Sequence, residues 1–255
     1  MSAPVNRLKT MLKSKRPAIG VIATIPGVQT ARILAQSLDF IIVDLEHGPI
    51  DLNMAHAMIL ATGGTNCTPL VRIAENRASL AKAPMDFGAM GINFPMINSA
   101  ADAKHAVASV RYPPKGERQW GPFHAPFTWG VSMPEYMAAA DDNMLCMITI
   151  EHIDAVNRID EILAVPGIDI AVIGPGDFAT SMGKHGRADD PEVVAAMQKA
   201  EAAILKSGVP IGGAARTAEQ ANAMIGRGYS LIAVGFDWML LQRGIAASLD
   251  GIKRT

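Results

Sequence analysis

Eight short apolar runs recur along the chain, each separated from the next by a stretch with helical spacing or by a loop and helix. The runs are Ala18–Ala23, Phe40–Val43, Pro69–Ile73, Gly91–Pro95, Met144–Ile150, Ile168–Ile173, Pro210–Gly212 and Leu231–Val234. Continuous apolar runs of this length, rich in β-branched residues, predict strands buried on both faces. Helical spacing falls at Asn6–Lys15, Gln29–Ser37, Leu52–Ala61, Ser79–Asp86, Ala100–Val110, Pro134–Ala140, Asp154–Ala164 (with Asp154 as its cap), Pro191–Ser207, Ala218–Arg227 and Met239–Leu249. Eight alternations in 255 residues predict an α/β fold, a closed (β/α)8 (TIM) barrel. The rival, a doubly wound open sheet, would want a G-x-G-x-x-G after the first strand, and none is there. No repeat, low-complexity tract or linker interrupts the pattern, so residues 1–255 read as a single domain.

Tyr112–Met133 departs from this rhythm, with many Pro, Gly and aromatic residues. Loops of that length are usually lids, binding loops or contacts. Trp120–Trp129 is therefore placed on the substrate side of the site, shared with a neighbouring subunit, and Phe236-Asp237-Trp238 beside it. Composition narrows the rest. A net charge of -1 offers no basic field for nucleic acid or an anionic membrane. Cys67 and Cys146 have neither metal spacing nor a disulfide framework, which fits a reducing compartment. The basic start, Met1–Arg16, has no apolar core like a signal peptide's, and no run approaches the roughly 20 apolar residues of a membrane helix. A cytoplasmic location is the expectation.

In such barrels the chemistry sits where strands end. Ile41-Ile42-Val43-Asp44-Leu45-Glu46-His47-Gly48-Pro49 ends a buried strand in two acids and a histidine. The third run ends near Arg72, the fifth at Glu151, the sixth in Gly174-Pro175-Gly176-Asp177 and the eighth before Asp237. Each has an ordinary reading alone. Asp177 could cap a turn, Arg72 could neutralise Glu46, Glu151 could pair with a structural arginine, and His47 could be a hydrogen-bonded structural group. Their convergence on one rim favours a site. Glu151 and Asp177 stand on adjacent strands, and His152 points the other way along an extended chain. A mainly oxygen site of this kind suits Mg²⁺ or Mn²⁺. Glycine lets the backbone of Gly174–Asp177 approach a ligand, and N–H groups there would bind the carboxylate of a 2-oxo acid. No strand ends in lysine, so a Schiff base is not expected, nor is a nucleotide cofactor.

The chain resembles the HpcH/HpaI family of metal-dependent (class II) pyruvate aldolases. Phe40–His47, Pro69–Arg72, Arg111–Arg118, Ile150-Glu151 and Ile173–Phe178, in that order, carry the resemblance from about Ala18 to Gly244. It implies a barrel of the phosphoenolpyruvate/pyruvate superfamily and a homo-oligomer, commonly a hexamer built from dimers with exchanged C-terminal helices. It implies Glu151 and Asp177 as ligands of Mg²⁺, Mn²⁺ or Co²⁺. His47, held by Asp44, becomes the acid/base group, and Arg72 binds the 2-oxo oxygen and steadies an enolate. The backbone of Gly176 and Asp177 holds the pyruvate carboxylate. Glu46 acts through a water on the metal or by supporting its ligands, and Thr149 and Ala214 lie against the substrate. The implied reaction is reversible cleavage of a 4-hydroxy-2-oxo acid to pyruvate and an aldehyde. Alternatives on the same residues are oxaloacetate decarboxylation, a malyl- or citramalyl-type lyase, and a barrel that only binds 2-oxo acids. Thr149 replaces a Gln, Leu45 replaces a Gly inside Asp-x-Glu-His, and Ile22 stands where an aromatic is common. Phe123-His124-Ala125-Pro126 lacks an Arg. These departures bear on the acceptor aldehyde.

Overall fold

The computed structural model describes residues 6–253. The first five residues of the basic N-terminal stretch and the last two of the chain lie outside them. Strands β1 (Ala18–Ala23), β2 (Phe40–Asp44), β3 (Thr68–Arg72), β4 (Gly91–Phe94), β5 (Leu145–Ile150), β6 (Ile170–Ile173), β7 (Ile211–Ala214) and β8 (Leu231–Phe236) pair in sequence order. Every pairing is parallel, and β8 closes on β1.

Helices α2 (Val28–Ala35), α3 (Leu52–Ala61), α4 (Ala78–Phe87), α5 (Ala100–Ser109), α11 (Pro191–Ser207), α12 (Ala218–Arg227) and α13 (Asp237–Leu249) follow the strands. Asp51, Ser99 and Thr217 start α3, α5 and α12 by accepting backbone N–H bonds from Met54, Asp102 and Gln220. The β5–β6 crossover breaks into α8 (Ile153–Asn157) and α9 (Ile159–Leu163), where the sequence predicted a single helix. His152, not Asp154, caps it, its Nδ1 accepting the Asp154 N–H at 3.1 Å. After β6, Gly174-Pro175-Gly176-Asp177 opens a further helix, α10 (Pro175–Ser181). Gly174 is its N-cap and Pro175 its first residue, so Asp177 falls in the first turn and caps nothing.

Side-chain alternation along the strands divides the core in two. Phe40, Ile42, Leu70, Leu145, Met147 and Leu231 point inward and fill the barrel. Val21, Ile41, Val43, Val71, Ile148 and Ile232 point outward against the helices. Helix α1 (Arg7–Lys13) adds Leu8, Met11 and Leu12 to the inner cluster and plugs the barrel at the N-terminal ends of the strands. Asn6 caps that plug and ties it down through Nδ2 to the Met90 carbonyl at 3.0 Å. At the other end α13 packs on β1 and β8. It leaves Trp238, Leu241, Ile245 and Leu249 exposed at helical spacing.

Asp237 does structural work. It is buried, and its carboxylate accepts from Thr24 N, Thr24 Oγ1, Ile25 N and Trp238 N at 2.8–3.0 Å. It thereby stitches the end of β8 to the loop after β1. The aromatic excursion folds as helices α6 (Ala125–Trp129) and α7 (Met133–Asn143) packed on the outside of the barrel. Trp129 Nε1 donates to the Gly88 carbonyl at 3.0 Å and Thr128 Oγ1 to Phe87 O at 2.8 Å. Trp120 and Phe123 are exposed, and Phe127 is 83% exposed.

Candidate active site

A cavity of about 320 Å³ opens at the C-terminal ends of the strands. One wall is polar: Arg72 from β3, Asn93 from β4, Thr149 and Glu151 from β5, and Gly176-Asp177 from α10. The facing wall is apolar, with Ile22, Leu231, Ala233, Phe236 and Met239. His47, Ala214 and Arg216 also line it. Six of the sequence-predicted residues thus meet here: His47, Arg72, Thr149, Glu151, Gly176 and Asp177, with Ala214 as a seventh.

The β2–β3 register sets Asp44 opposite Arg72. Arg72 Nε donates to Asp44 Oδ1 at 2.8 Å and Nη2 to Oδ2 at 2.7 Å, a bidentate fork. Asp44 is fully buried, and its Oδ1 also accepts the backbone N–H of Glu46 (3.1 Å) and His47 (3.4 Å). The expected hold of Asp44 on His47 is made through the backbone. Asp44 holds the His47 backbone, not the imidazole, which is 61% exposed with Nε2 3.8 Å from Glu46 Oε2. Asp44 orients the arginine instead. Burial works against the Arg72 charge, but the bonds to Asp44 and the nearby Glu46 and Glu151 outweigh it and raise its pKa.

Glu46 Oε2 lies 3.1 Å from Arg72 Nε, yet that N–H is aimed at Asp44, so Oε2 is buried with no hydrogen bond. Burial raises the Glu46 pKa, Arg72 opposes this, and Asp44 and Asp177 add to it. Glu151 is 3% exposed. Burial pushes its pKa up to about 7, the Met96 N–H works the other way, and Glu46 and Asp177 raise it further. Its Oε1 accepts that Met96 N–H at 2.7 Å, and Oε2 has no hydrogen bond among the described residues. Met96 carries φ 54, a left-handed conformation uncommon for a residue other than glycine, and its N–H points at the carboxylate.

Glu151 and Asp177 therefore share the cavity, with Glu46 close behind Arg72; one Glu46 oxygen is orphaned, and burial drives Glu151 toward protonation. Such a set is relieved by a cation. Among the described residues no group of three or more His, Cys, Asp or Glu side chains could by itself hold a metal ion. Two carboxylates, Glu151 and Asp177, fit a hard divalent cation whose other positions stay open to water and substrate.

Asn93 and the Met96 N–H were not found from sequence. Asn93 Oδ1 accepts from Thr149 Oγ1 at 2.9 Å and fixes that hydroxyl at the cavity wall. A polar residue inside Gly91-Ile92-Asn93-Phe94 was its signal. Trp120–Trp129 was expected on the substrate side, but no residue of it lines this cavity, because α6 is anchored to Phe87 and Gly88 on the outside of the barrel. Of Phe236-Asp237-Trp238, only Phe236 lines it.

Strand-end carboxylates around a clamped arginine, in a parallel barrel closed at one end, define a (β/α)8-barrel enzyme. The HpcH/HpaI aldolase/citrate lyase family model matches residues 28–243, and the chain belongs to that family of lyases. It is 34% identical to a pyruvate aldolase of Rhizobium etli, over 97% of both chains. It is also 34% identical to the 4-hydroxy-2-oxo-heptane-1,7-dioate aldolase of Salmonella typhimurium, over 95% of this chain and 92% of that one. The crystal structure of a HpcH/HpaI aldolase/citrate lyase family protein from Burkholderia cenocepacia superposes with a TM-score of 0.89 at 30% identity, over 96% and 98% of the two chains.

Proposed function

We propose that the chain is a divalent-metal-dependent aldolase that reversibly cleaves 4-hydroxy-2-oxo acids to pyruvate and an aldehyde. The observation that carries this reading is the pairing of Glu151, a buried carboxylate with a free oxygen, with Arg72 held rigid by Asp44. A cation held by Glu151 and Asp177 would supply Lewis-acid stabilisation to a developing enolate. Arg72 presents a fixed positive charge to the 2-oxo oxygen, and Asp44 keeps it from reorganising as charge develops. The backbone N–H groups of Gly176 and Asp177 hold the pyruvate carboxylate. Asn93 orients Thr149 against the substrate. The His47 imidazole, at the open rim, takes the proton of the 4-hydroxyl in cleavage and returns it to the aldehyde oxygen in synthesis. Glu46 supports this face through Arg72.

The test is pyruvate release from 4-hydroxy-2-oxo acids of several chain lengths, after chelation and after adding back Mg²⁺, Mn²⁺ or Co²⁺. Release lost with chelator and restored by metal is expected, and Arg72→Ala should abolish it. Release indifferent to chelator would refute the metal, and no release at all would move weight to oxaloacetate decarboxylation or a malyl-type lyase. The chain also works, in this reading, as a homo-oligomer, a hexamer in which the exposed apolar stripe of α13 is exchanged between subunits. Sedimentation velocity of wild type and Leu241→Glu checks this. No helix among the described residues is long and apolar enough to cross a membrane.

A further inference from the structure

Arg216 is a second cation at the cavity, and the mechanism above does not use it. It lies two residues beyond the end of β7 and lines the cavity together with Phe236 and Met239 of the apolar wall. Its backbone is pinned from both sides. The Arg216 N–H donates to Gln220 Oε1 at 2.8 Å, and its carbonyl accepts from Arg243 Nη1 at 2.9 Å. Arg243 Nη2 also donates to Val234 O at 3.1 Å, so one guanidinium locks the ends of β7 and β8 together. Ala215 N bonds Ala233 O at 2.8 Å, which adds a third tie. The Arg216 guanidinium, by contrast, has no ion pair or hydrogen bond among the described residues, although Arg216 lines a cavity that also holds the carboxylates of Glu151 and Asp177. Ala214, Ala215 and Gly235, which line the cavity with it, are all small. A free fork on a rigid base, at the β7–β8 corner where barrels of this kind commonly hold anions, is built to receive a ligand's charge.

We propose that Arg216 selects acceptor aldehydes carrying an anionic group at the end remote from the carbonyl, such as a carboxylate, sulfonate or phosphate. This inference rests on the aldolase reading. The pyruvyl half lies against the polar wall, the carbon chain of the acceptor runs along Phe236 and Met239, and the terminal anion meets the Arg216 guanidinium. Arg216 is a specificity residue and takes no part in breaking the bond.

The experiment measures the ratio of kcat/KM for an anionic aldehyde over that for butanal in aldol addition with pyruvate and Mn²⁺. Succinic semialdehyde, sulfoacetaldehyde and glyceraldehyde 3-phosphate form three arms, and the largest ratio identifies the anion. Wild type should prefer at least one anion, and in Arg216→Ala that ratio should fall by about 10- to 100-fold, chiefly through KM, with Arg216→Lys recovering part of it. No anionic preference in wild type, or a ratio unchanged by the substitution, overturns the proposal. Calorimetry with Mn²⁺ keeps the test independent of turnover, comparing 2-oxoadipate with 2-oxohexanoate. A preference for the dianion that disappears in Arg216→Ala supports anion selection even where no aldol addition is seen, and then it is the aldolase reading that fails. Equal binding of the two acids by wild type, or a dianion preference that survives in Arg216→Ala, overturns the Arg216 assignment.

Discussion

Gly174→Ala tests the site through a single methyl group. Gly174 has φ -98 and ψ 92, a backbone that alanine adopts freely, so the substitution carries no conformational penalty of its own. A Cβ there would lie 2.8 Å from Glu151 Oε2, 3.1 Å from Glu151 Cβ and 3.2 Å from Thr149 Cγ2. The carboxylate would have to retreat by roughly 0.5 Å to restore van der Waals distance. Its Cβ is crowded too, so a rotation of the carboxylate alone does not suffice. Metal–ligand distances tolerate shifts of only about 0.2 Å. Mn²⁺ affinity should therefore fall about 10- to 100-fold, or about 1.4 to 2.8 kcal/mol. The overpacking should cost about 1–3 kcal/mol of stability. Mn²⁺ titration of chelator-stripped protein by electron paramagnetic resonance, alongside circular-dichroism melts, reads both. A folded Gly174→Ala protein that binds Mn²⁺ within threefold of wild type would refute the assignment of Glu151 as a ligand.

Glu151, with its folded pKa near 7 against an ordinary value of 4.5, binds its proton more tightly folded than unfolded. Its contribution is thus present below pH 4.5 and lost as pH rises toward 7. Chelator-treated wild type should lose on the order of 3 kcal/mol from this group across that window, and Glu151→Gln should flatten the dependence in urea unfolding. Asp237→Ala leaves the N–H groups of Thr24, Ile25 and Trp238 without their acceptor and should destabilise the fold by about 3 kcal/mol or more, measured the same way. Cys67 and Cys146 are buried, and burial pushes both thiols up to about 12. Iodoacetamide at pH 8 should leave them unmodified in native protein and alkylate both in urea, and fast native labelling would contradict their placement.

Strand order and strand ends were legible because a buried parallel strand must be apolar on both faces, and so a charge marks where it leaves the barrel. Ile41–Val43 followed by Asp44, and Ile148–Ile150 followed by Glu151, show this directly. What the run could not show is where a charged side chain turns once it has left. Asp44 was expected to hold His47; it does so only through the backbone N–H, and the β2–β3 register gives most of its carboxylate to Arg72. Asp237 looked like another strand-end acid, yet its bonds close the β8–β1 seam. Arg216 carries no strand-end signature, because its role depends on what fails to pair with it. The Met96 N–H belongs to the backbone and leaves no mark in side-chain chemistry. Trp120–Trp129 stays outside its own chain's cavity, and exposed aromatics suit a binding loop and a packed outer helix alike.

The packed barrel interior, closed from beneath by α1, makes the cavity a dead end. Phe40, Ile42, Leu70, Leu145, Met147 and Leu231 fill the barrel below it, with Leu8, Met11 and Leu12 packed beneath them, so everything enters and leaves by the C-terminal mouth. A blind well imposes a queue. The component seated among the carboxylates must arrive first and depart last, and the one held nearer the rim must come and go above it. For the proposed aldolase, the order of kinetic addition and release would thereby follow from the closed barrel floor.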